Sequence, residues 1–311
     1  MELIGKSLQQ FKDQMERIAA GKEKSLAIKT GFQSLDQLSG GYRRGEIAVV
    51  AGRPGMGVSA FLLESAINLA QQHGYHGAYI TLDQPLRTVQ ARIASIFTDV
   101  PLSELINGHV NHHVLEKLSW SSDQSSLGLY LHEQKNRDLH DLLNVLHEIQ
   151  QKQPLDFVVI DYLQLLTSAD AEKYRSRFDH LNTLMEKLQT YARENNVALI
   201  CGSSMSRKVE DRGGDKRPQL SDIRESGLIE EMASKVMFLY RPEYYGIHYD
   251  MDGVMQKGVM EGILVKNETG SSGSTTFFAG GTDHSAFRVL EASDGNNSLI
   301  DFLSGDHSSP F

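Results

Sequence analysis

The sequence predicts an α/β fold in which helices cover both faces of a mostly parallel β-sheet. Short apolar segments alternate along the chain with longer segments of helical periodicity, which is the pattern of repeated strand–helix units. Apolar segments such as Glu46–Gly52 and Leu155–Asp161 read as buried strands. Near the C-terminus the pattern changes to strand-like segments separated by glycine-rich turns, which indicates an antiparallel edge.

The individual elements follow from the same patterns. Parallel strands are predicted at Glu46–Gly52, Gly77–Leu82, Gly128–Glu133, Leu155–Asp161, Val197–Ser203 and Lys235–Arg241. Helices are predicted at about Gly57–His73, from Pro85 to about Phe97, at Leu139–Gln151 and at about Arg175–Asn195. The antiparallel edge is predicted from the segments "GVMEGILVKN", "STTFFAG" and "AFRVLE".

The N-terminal segment reads as an amphipathic helix, from about Leu3 to Ala20, and residues 1–29 as this helix with its linker. Its apolar residues recur at helical spacing and form one stripe: Ile4, Leu8, Phe11, Met15 and Ile18. The stripe must be buried, either on the domain of its own chain or on a neighbouring subunit. Residues 30–292 are predicted to form the α/β domain and residues 293–311 a flexible tail.

The bulk composition narrows the class of protein. A formal net charge of −9 argues against a general nucleic-acid coat protein but leaves room for a local basic loop. The single cysteine, Cys201, excludes an internal disulfide framework and fits a reducing cytoplasm. The sequence shows neither a long apolar run nor a secretion signal, so a cytoplasmic protein without a membrane span is expected.

The segment "VVAGRPGMGVSAF" (Val49–Phe61) nearly matches the phosphate-binding pattern G-x-x-x-x-G-K-[ST], with Val58 in place of the lysine. A strand, a glycine-rich turn and a helix N-terminus together favour a bound anion. Ser59 can hold Mg²⁺, and Asp161, at the end of an apolar strand, is the second expected Mg²⁺ residue, although such acids are often structural. The ATP-binding residues predicted from this loop and strand end are Gly52, Arg53, Pro54, Gly55, Met56, Gly57, Val58, Ser59 and Asp161.

Three long segments resemble the C-terminal ATPase domain of the DnaB family of replicative helicases. These are "TGFQSLDQLSGGYRRGEIAVVAGRPGMG", "VVIDYLQLL" and "DKRPQLSDIRESGLIEEMASKVMFLYRPEYY", and the resemblance runs from about Thr30 to about Arg288. It implies a RecA-like core, a hexameric ring, ATP with Mg²⁺, and translocation on single-stranded DNA. Family members carry a separate N-terminal helical domain, of which only the linker-like helix is expected here. In the family that helix packs on the next subunit, which favours a ring of this chain or with a DnaB-type paralogue.

The chain departs from the family pattern at four positions that carry chemistry. Val58 replaces the lysine, Asp83 the water-activating glutamate and Ser204 a glutamine that senses the γ-phosphate. Of the Lys-x-Arg pair that enters a neighbour's site, Lys266 is kept and Glu268 replaces the arginine. Shortening the base by one methylene withdraws it by roughly 1 Å, which costs on the order of 100-fold in rate. An arginine finger contributes about 10³–10⁵ in rate.

We therefore expect an ATPase-deficient DnaB-like domain with weak nucleotide binding. Two alternatives remain, an active ATP-dependent 5′–3′ helicase with an atypical loop, or a RecA-like protein-interaction scaffold. The segment Ser206–Pro218 is the expected contact with single-stranded DNA, the alternative being a solvated surface loop. The stretch around Arg241 resembles a family stretch that lies near the nucleotide base, so Arg241 either stacks on that base or belongs to a packed edge. The basic residues of the segment are Arg207, Lys208, Arg212, Lys216 and Arg217.

Overall fold

A large twisted sheet forms the centre of the computed structural model, which describes residues 3–109, 111–122, 127–168, 176–223, 226–280 and 288–291. The strands are β1 (Ala27–Ile28), β2 (Tyr42–Arg43), β3 (Ile47–Gly52), β4 (Gly77–Thr81), β5 (Leu129–Glu133), β6 (Phe157–Asp161), β7 (Ala198–Ser204), β8 (Lys235–Tyr240), β9 (Val259–Asn267), β10 (Gly273–Gly280) and β11 (Arg288–Glu291). The helices are α1 (Ile4–Ala19), α2 (Gln33–Ser39), α3 (Val58–His73), α4 (Leu86–Thr98), α5 (Leu102–Asn107), α6 (His112–Ser122), α7 (Leu139–Lys152), α8 (Arg177–Asn195), α9 (Lys208–Asp211) and α10 (Ser226–Met232).

Within the described residues the main sheet has nine strands in the order β11-β10-β9-β8-β3-β7-β6-β4-β5. The six strands from β8 to β5 run parallel, and β9, β10 and β11 add to β8 in antiparallel fashion. The predicted antiparallel C-terminal edge is therefore confirmed. Because the parallel strands share one direction, the loops after β3, β4, β6, β7 and β8 all leave at the same edge of the sheet, where open α/β sheets bind ligands.

The two faces of the sheet bury separate hydrophobic clusters, so the predicted α/β class with helices on both faces is confirmed. In β3, Val49 and Ala51 join one cluster with α7 and α8, whereas Ala48 and Val50 join the other with α3 and α4. This alternation follows from the two-residue period of side chains in a strand. Continuous hydrophobic strand segments are needed because both faces are covered. Cys201 is buried in the first cluster, and burial raises the pKa of its thiol to about 12.

The predicted strands and helices of the central domain lie where the sequence indicates, with ends that differ by one or two residues. The second helix begins at Leu86, with Pro85 at its N-cap. The short helices α2, α5, α6, α9 and α10 were not predicted. They are 4–11 residues long, and too short for a hydrophobic period to be recognised with certainty.

The N-terminal helix α1 has no buried residue, and Leu3, Ile4, Leu8 and Phe11 are exposed. The N-terminal part of its apolar stripe is therefore open in the described part of the chain, whereas the last two stripe residues, Met15 and Ile18, are half-buried. Among the described residues, no helix is both long and apolar enough to cross a bilayer. The boundaries of the linker segment and the domain remain predictions, and the proposed tail at residues 293–311 lies outside the described residues.

Candidate nucleotide-binding site

The phosphate loop connects the end of β3 at Gly52 to the start of α3 at Val58. Gly55 and Gly57 have φ angles of +87° and +93°, which glycine adopts far more readily than residues with a side chain. At Gly52 a Cβ atom would lie 2.7 Å from Cγ2 of Val58, so there is no room for a side chain. The loop thus has the strand–turn–helix geometry of an anion site, in which the first N–H groups of α3 have no partner within the helix.

A cavity of about 430 Å³ lies beside this loop at the carboxyl edge of the parallel strands. It brings together most of the predicted ATP-binding residues with Asp83 and Ser204. Met56 is an exception, because its side chain is 2% exposed and belongs to the core beside α3. The residues around the cavity are Gly52, Arg53, Pro54, Gly55, Gly57, Val58, Ser59, Ala60, Asp83, Gln84, Arg92, Asp161, Tyr162, Ser203, Ser204 and Arg241.

Asp161 and Ser59, the predicted Mg²⁺ residues, are in contact at the floor of the cavity. The Ser59 hydroxyl donates a hydrogen bond to the Asp161 carboxylate, and the Tyr79 hydroxyl donates a second, 2.8 Å long, to Oδ2. Burial raises the pKa of Asp161 above its ordinary value, an effect that the nearby charge of Asp83 reinforces and these two hydrogen bonds oppose. A hydroxyl and a carboxylate here fit Mg²⁺ that is bound together with nucleotide phosphates and water.

The described residues contain no cluster of three or more His, Cys, Asp or Glu side chains that could hold a metal ion by themselves. A metal at this cavity would therefore depend on the phosphates of a nucleotide for most of its ligands. This agrees with the way Mg²⁺ is held in phosphate-transferring sites, by one or two protein oxygens together with substrate.

Arg92 is a cavity residue that sequence reasoning missed. It lies on α4, its Nε donates a 3.0 Å hydrogen bond to Oε1 of Gln84, and its charge lowers the pKa of Asp161. Val58, at the lysine position, carries no charge and packs partly against the core. An arginine on an amphipathic helix is usually interpreted as part of a solvated face, so only the packing of α4 against the sheet reveals its place.

Asp83 and Ser204 both border the cavity. Asp83 is exposed and follows β4, whereas Ser204 is the last residue of β7. The Ser204 amide donates a 3.1 Å hydrogen bond to Oε1 of Gln164, while its buried Oγ has no hydrogen-bond partner among the described residues. The structure thus places both predicted positions at the cavity, but with short side chains.

Arg53 and Arg241 border the cavity, and both are engaged by the protein. Arg53 is buried and donates two hydrogen bonds to Oε1 of Glu210 and one to the carbonyl oxygen of Met205. Arg241 pairs with Glu243 and donates a 3.2 Å hydrogen bond to the carbonyl oxygen of Gly55. Arg241 therefore lies against the phosphate loop, and it also borders a second cavity of about 630 Å³ next to Tyr244.

Lys266 and Glu268 are not brought to the nucleotide cavity of their own chain. Lys266 pairs with Val236 of β8 near the edge where the parallel strands begin. Gly52 and the phosphate loop lie at the other edge, where these strands end. Its Nζ lies 2.8 Å from Oε1 of Glu268 and 2.7 Å from the carbonyl oxygen of Glu230. Glu268 borders a separate cavity of about 440 Å³ with Glu46, Glu186 and Glu231. Any contact of these two residues with a nucleotide would require a neighbouring subunit.

The basic residues of Ser206–Pro218 fall into two groups. Arg212 pairs with Asp222 at 2.6 Å, Arg217 pairs with Glu261 at 2.6 Å, and Lys216 lies over the Tyr245 ring. Arg207 and Lys208 are exposed at the start of the short helix α9. Three of the five predicted DNA contacts are thus engaged within the chain, a long-range pairing that the local charge pattern could not reveal.

Comparison with known proteins agrees with this geometry. Residues 27–284 match the model of the DnaB-like helicase C-terminal domain family. The chain is 35% identical over 250 residues to a probable plasmid replicative DNA helicase of Chlamydia psittaci, covering 80% of this chain and 53% of the relative. It is 31% identical over 268 residues to the replicative DNA helicase DnaB of Geobacillus stearothermophilus, covering 86% of this chain and 58% of the relative. It thus spans little more than half the length of these relatives.

Solved structures of replicative helicases and their ATPase domains also resemble this chain. The ATPase domain of G40P superposes with a TM-score of 0.79 at 25% identity, covering 94% of this chain and all of that domain. A DnaB-like replicative helicase, described with its interactions with primase, superposes with a TM-score of 0.77 at 26% identity, covering 94% of this chain and 68% of the other. Because the family model matches residues 27–284 and relatives that are 35% and 31% identical cover 80% and 86% of the chain, the chain belongs to the family of DnaB-like helicase C-terminal domains.

Proposed function

We propose that this chain is a DnaB-like replicative helicase domain that binds ATP and Mg²⁺ weakly and hydrolyses ATP slowly or not at all. We further propose that it acts in DNA replication, in association with single-stranded DNA and with a ring of its own copies or of a DnaB-type paralogue. The observation that carries the proposal is the nucleotide cavity, where the phosphate loop and the Ser59–Asp161 pair are intact while Val58, Asp83 and Ser204 replace chemistry-bearing side chains.

Weak binding follows from which contacts remain. Backbone N–H groups at a helix N-terminus and a Ser59–Asp161 metal site attract a triphosphate without a lysine. The lost lysine removes a charge-assisted contact of roughly 1.5–3 kcal/mol, which weakens binding about 10- to 100-fold. Slow hydrolysis follows from the short Asp83 and from Glu268, whose carboxylate would repel a neighbour's triphosphate where an arginine would stabilise it.

Calorimetric titration of the purified chain with ATP tests the binding half of the proposal. We expect binding that requires Mg²⁺ and that is lost in the Asp161→Asn and Ser59→Ala variants. The Asp13→Asn variant, which removes the same charge from the exposed helix α1, should bind as the wild type does. Wild-type protein that takes up no nucleotide at millimolar concentration contradicts this half.

Binding to single-stranded DNA is proposed for the segment Ser206–Pro218, with Arg207 and Lys208 as its freely exposed cations. Each contact with a phosphate releases counterions, so the loss of one contact should make the plot of log affinity against log salt concentration less steep by about 1. We expect the Arg207→Ala, Lys208→Ala double variant to bind more weakly and with a smaller slope. A Lys135→Ala, Lys152→Ala variant serves as the control, because both lysines are exposed elsewhere. Equal slopes in all three proteins would exclude this segment.

An active ATP-dependent helicase is the second candidate, and Arg92 favours it. Arg92 borders the cavity and brings a positive charge to it, while Val58 leaves the usual lysine position uncharged. Unwinding of a forked duplex that depends on ATP would decide for this candidate.

The third candidate is a RecA-like interaction scaffold, which the largely exposed apolar stripe of α1 supports. If the chain is such a scaffold, it should bind neither DNA nor nucleotide. The cytoplasmic location remains a prediction from the single cysteine.

A further inference from the structure

The phosphate loop and the proposed DNA-binding segment begin side by side at the edge of the sheet. Strands β3 and β7 are parallel neighbours whose last residues, Gly52 and Ser204, are partners in register. The Met205 amide donates a 3.3 Å hydrogen bond to the carbonyl oxygen of Gly52. The residue that starts the phosphate loop, Arg53, is therefore next to the residues that lead into α9.

An ion pair joins the two segments beyond this point. The Arg53 side chain is 9% exposed, and its Nε and Nη2 lie 2.9 Å and 2.7 Å from the same oxygen of Glu210. Nη1 donates a further 3.2 Å hydrogen bond to the Met205 carbonyl oxygen. All three of these hydrogen bonds therefore run to the segment that follows β7. Separating this pair would leave a buried guanidinium without a counter-charge, which is strongly unfavourable.

Glu210 lies on the single helical turn α9 (Lys208–Asp211), directly after the buried Val209. Val209 is fully buried beneath the turn, while Arg207 and Lys208 are exposed at its start. A shift of Glu210 thus carries the two exposed cations with it. Conversely, phosphates in the cavity would attract Arg53, which borders the cavity. A movement of Arg53 towards them would displace its ion-pair partner, Glu210.

We propose that the Arg53–Glu210 ion pair couples nucleotide occupancy of the cavity to the binding of single-stranded DNA at Arg207 and Lys208. This inference rests on the proposed function, because it requires that both ligands bind. Glu210 acts here as a positioning residue, since it does not line the cavity and exerts its effect through Arg53. The coupling must be reciprocal, so each ligand changes the affinity for the other by the same factor.

A thermodynamic cycle on the full chain tests the coupling. The affinity for a fluorescent oligothymidylate is measured with and without Mg-ATP in wild-type protein and in the Glu210→Gln variant. Asp211→Asn is the matched control, because it removes the same charge from the neighbouring, exposed position of α9. We expect ATP to change DNA affinity about 5- to 150-fold in the wild type and the control, and by less than about 2-fold in Glu210→Gln.

A second variant guards against local unfolding in Glu210→Gln. Arg53→Lys keeps the charge but replaces the planar guanidinium by a point charge, and it should also reduce the factor by which Mg-ATP changes DNA affinity. Equal coupling in Glu210→Gln and Asp211→Asn, or a wild type in which both ligands bind independently, overturns the inference and leaves the proposed function standing. A wild type that binds neither ligand overturns the proposed function as well.

Discussion

Val58 occupies the position at which the phosphate loop would carry its lysine. A Cβ atom on Gly52 would lie only 2.7 Å from Cγ2 of Val58, and the side chain packs in part against the core around α3. Its backbone still begins α3, so the N–H groups that favour an anion remain. The loss at this residue is thus a loss of charge, with the cradle itself unchanged.

Restoring the charge should restore affinity. We expect the Val58→Lys variant to bind Mg-ATP about 10- to 100-fold more tightly than the wild type, because it regains a charge-assisted contact of roughly 1.5–3 kcal/mol. Val58→Met is the control, with similar length and no charge. The affinities can be compared by fluorescence titration with a labelled ATP analogue, and a Val58→Lys affinity no better than that of Val58→Met would contradict the expectation.

Arg92 offers the corresponding loss-of-charge experiment. If its guanidinium contacts phosphates in the cavity, Arg92→Ala should weaken Mg-ATP binding about 10-fold or more, by the same energetic argument. Arg87→Ala is the control because Arg87 is an exposed arginine on the same helix. Competition titrations with ATP, ADP and AMP would show the largest effect for ATP. Equal affinities of the two alanine variants would remove Arg92 from the site.

Sequence reasoning found the site residues that have a local pattern and missed those that depend on folding. Gly52, Ser59 and Asp161 stand at the ends of strands or at a helix start, where spacing alone assigns them. Arg92 and the Arg53–Glu210 pair have no such pattern. The two members of the pair are 157 positions apart in the sequence, and Arg92 reaches the cavity only through the packing of α4 against the sheet. The Arg53–Glu210 contact forms because β3 and β7 are parallel neighbours. That neighbourhood depends on the strand order of the whole sheet, which no local sequence pattern reveals.

At the scale of elements, Asp156 ties three segments to the start of β6. Lys24 of the linker and Arg44 after β2 both lie 2.6 Å from its Oδ1, and the His76 amide donates a 2.8 Å hydrogen bond to Oδ2. The side chains of Asp156 and Arg44 are 2% and 3% exposed. Burial acts to raise the pKa of Asp156, but the hydrogen bonds from Lys24, His76 and Arg44 hold it below the ordinary value of 3.8.

Removing this carboxylate should destabilise the fold. We expect Asp156→Asn to lower the free energy of unfolding at pH 7 by about 3–5 kcal/mol, because Arg44 is left buried without its partner. A depressed folded-state pKa stabilises the protein above the unfolded value of 3.8, and this contribution is lost as pH falls through the folded-state pKa. The difference from wild type should therefore shrink towards pH 3 in urea unfolding.

The exposed pair Lys12–Glu16 supplies the control for this measurement. Both side chains are about two-thirds exposed, so Glu16→Gln should change the free energy of unfolding by less than about 0.5 kcal/mol at any pH. An Asp156→Asn variant as stable as this control at pH 7 would show that the cluster does not hold the linker to the domain.

The sequence predicts the elements of the central sheet because their strands are buried on both faces and are therefore hydrophobic throughout. It fails at α5 and α6, where Ile106 and Leu115 remain exposed and no long apolar stripe marks the helices. Short helices of this kind are stabilised by packing against α4, which contacts both, and local propensity alone does not specify them.

At the scale of the whole molecule, α1 is a helix whose one apolar face is largely exposed in the described part of the chain. Ile4, Leu8 and Phe11 are 79%, 61% and 56% exposed. A soluble chain seldom leaves such a stripe open, and its burial on a neighbouring subunit would explain it. The interpretation as a docking helix is therefore favoured over packing on its own domain.

We expect the Leu8→Ser, Phe11→Ser double variant to lose self-association or binding to a DnaB-type ring, with a stability change within about 0.5 kcal/mol because both side chains are exposed in the single chain. Gln9→Ser, Asp13→Ser is the control on the same helix. Sedimentation velocity over a range of concentrations, with and without a DnaB-type helicase, gives the readout. A wild type that is monomeric in every condition contradicts the docking role.

The proposed ATPase deficiency depends on a cavity that keeps its phosphate loop but lacks the side chains that make hydrolysis fast. The most direct test is the steady-state rate of phosphate release with saturating Mg-ATP, measured with and without single-stranded DNA. We predict that wild-type release stays near the background rate in both conditions and that the Val58→Lys, Glu268→Arg double variant releases phosphate measurably faster. Substantial, DNA-stimulated release by the wild-type protein would contradict the central claim.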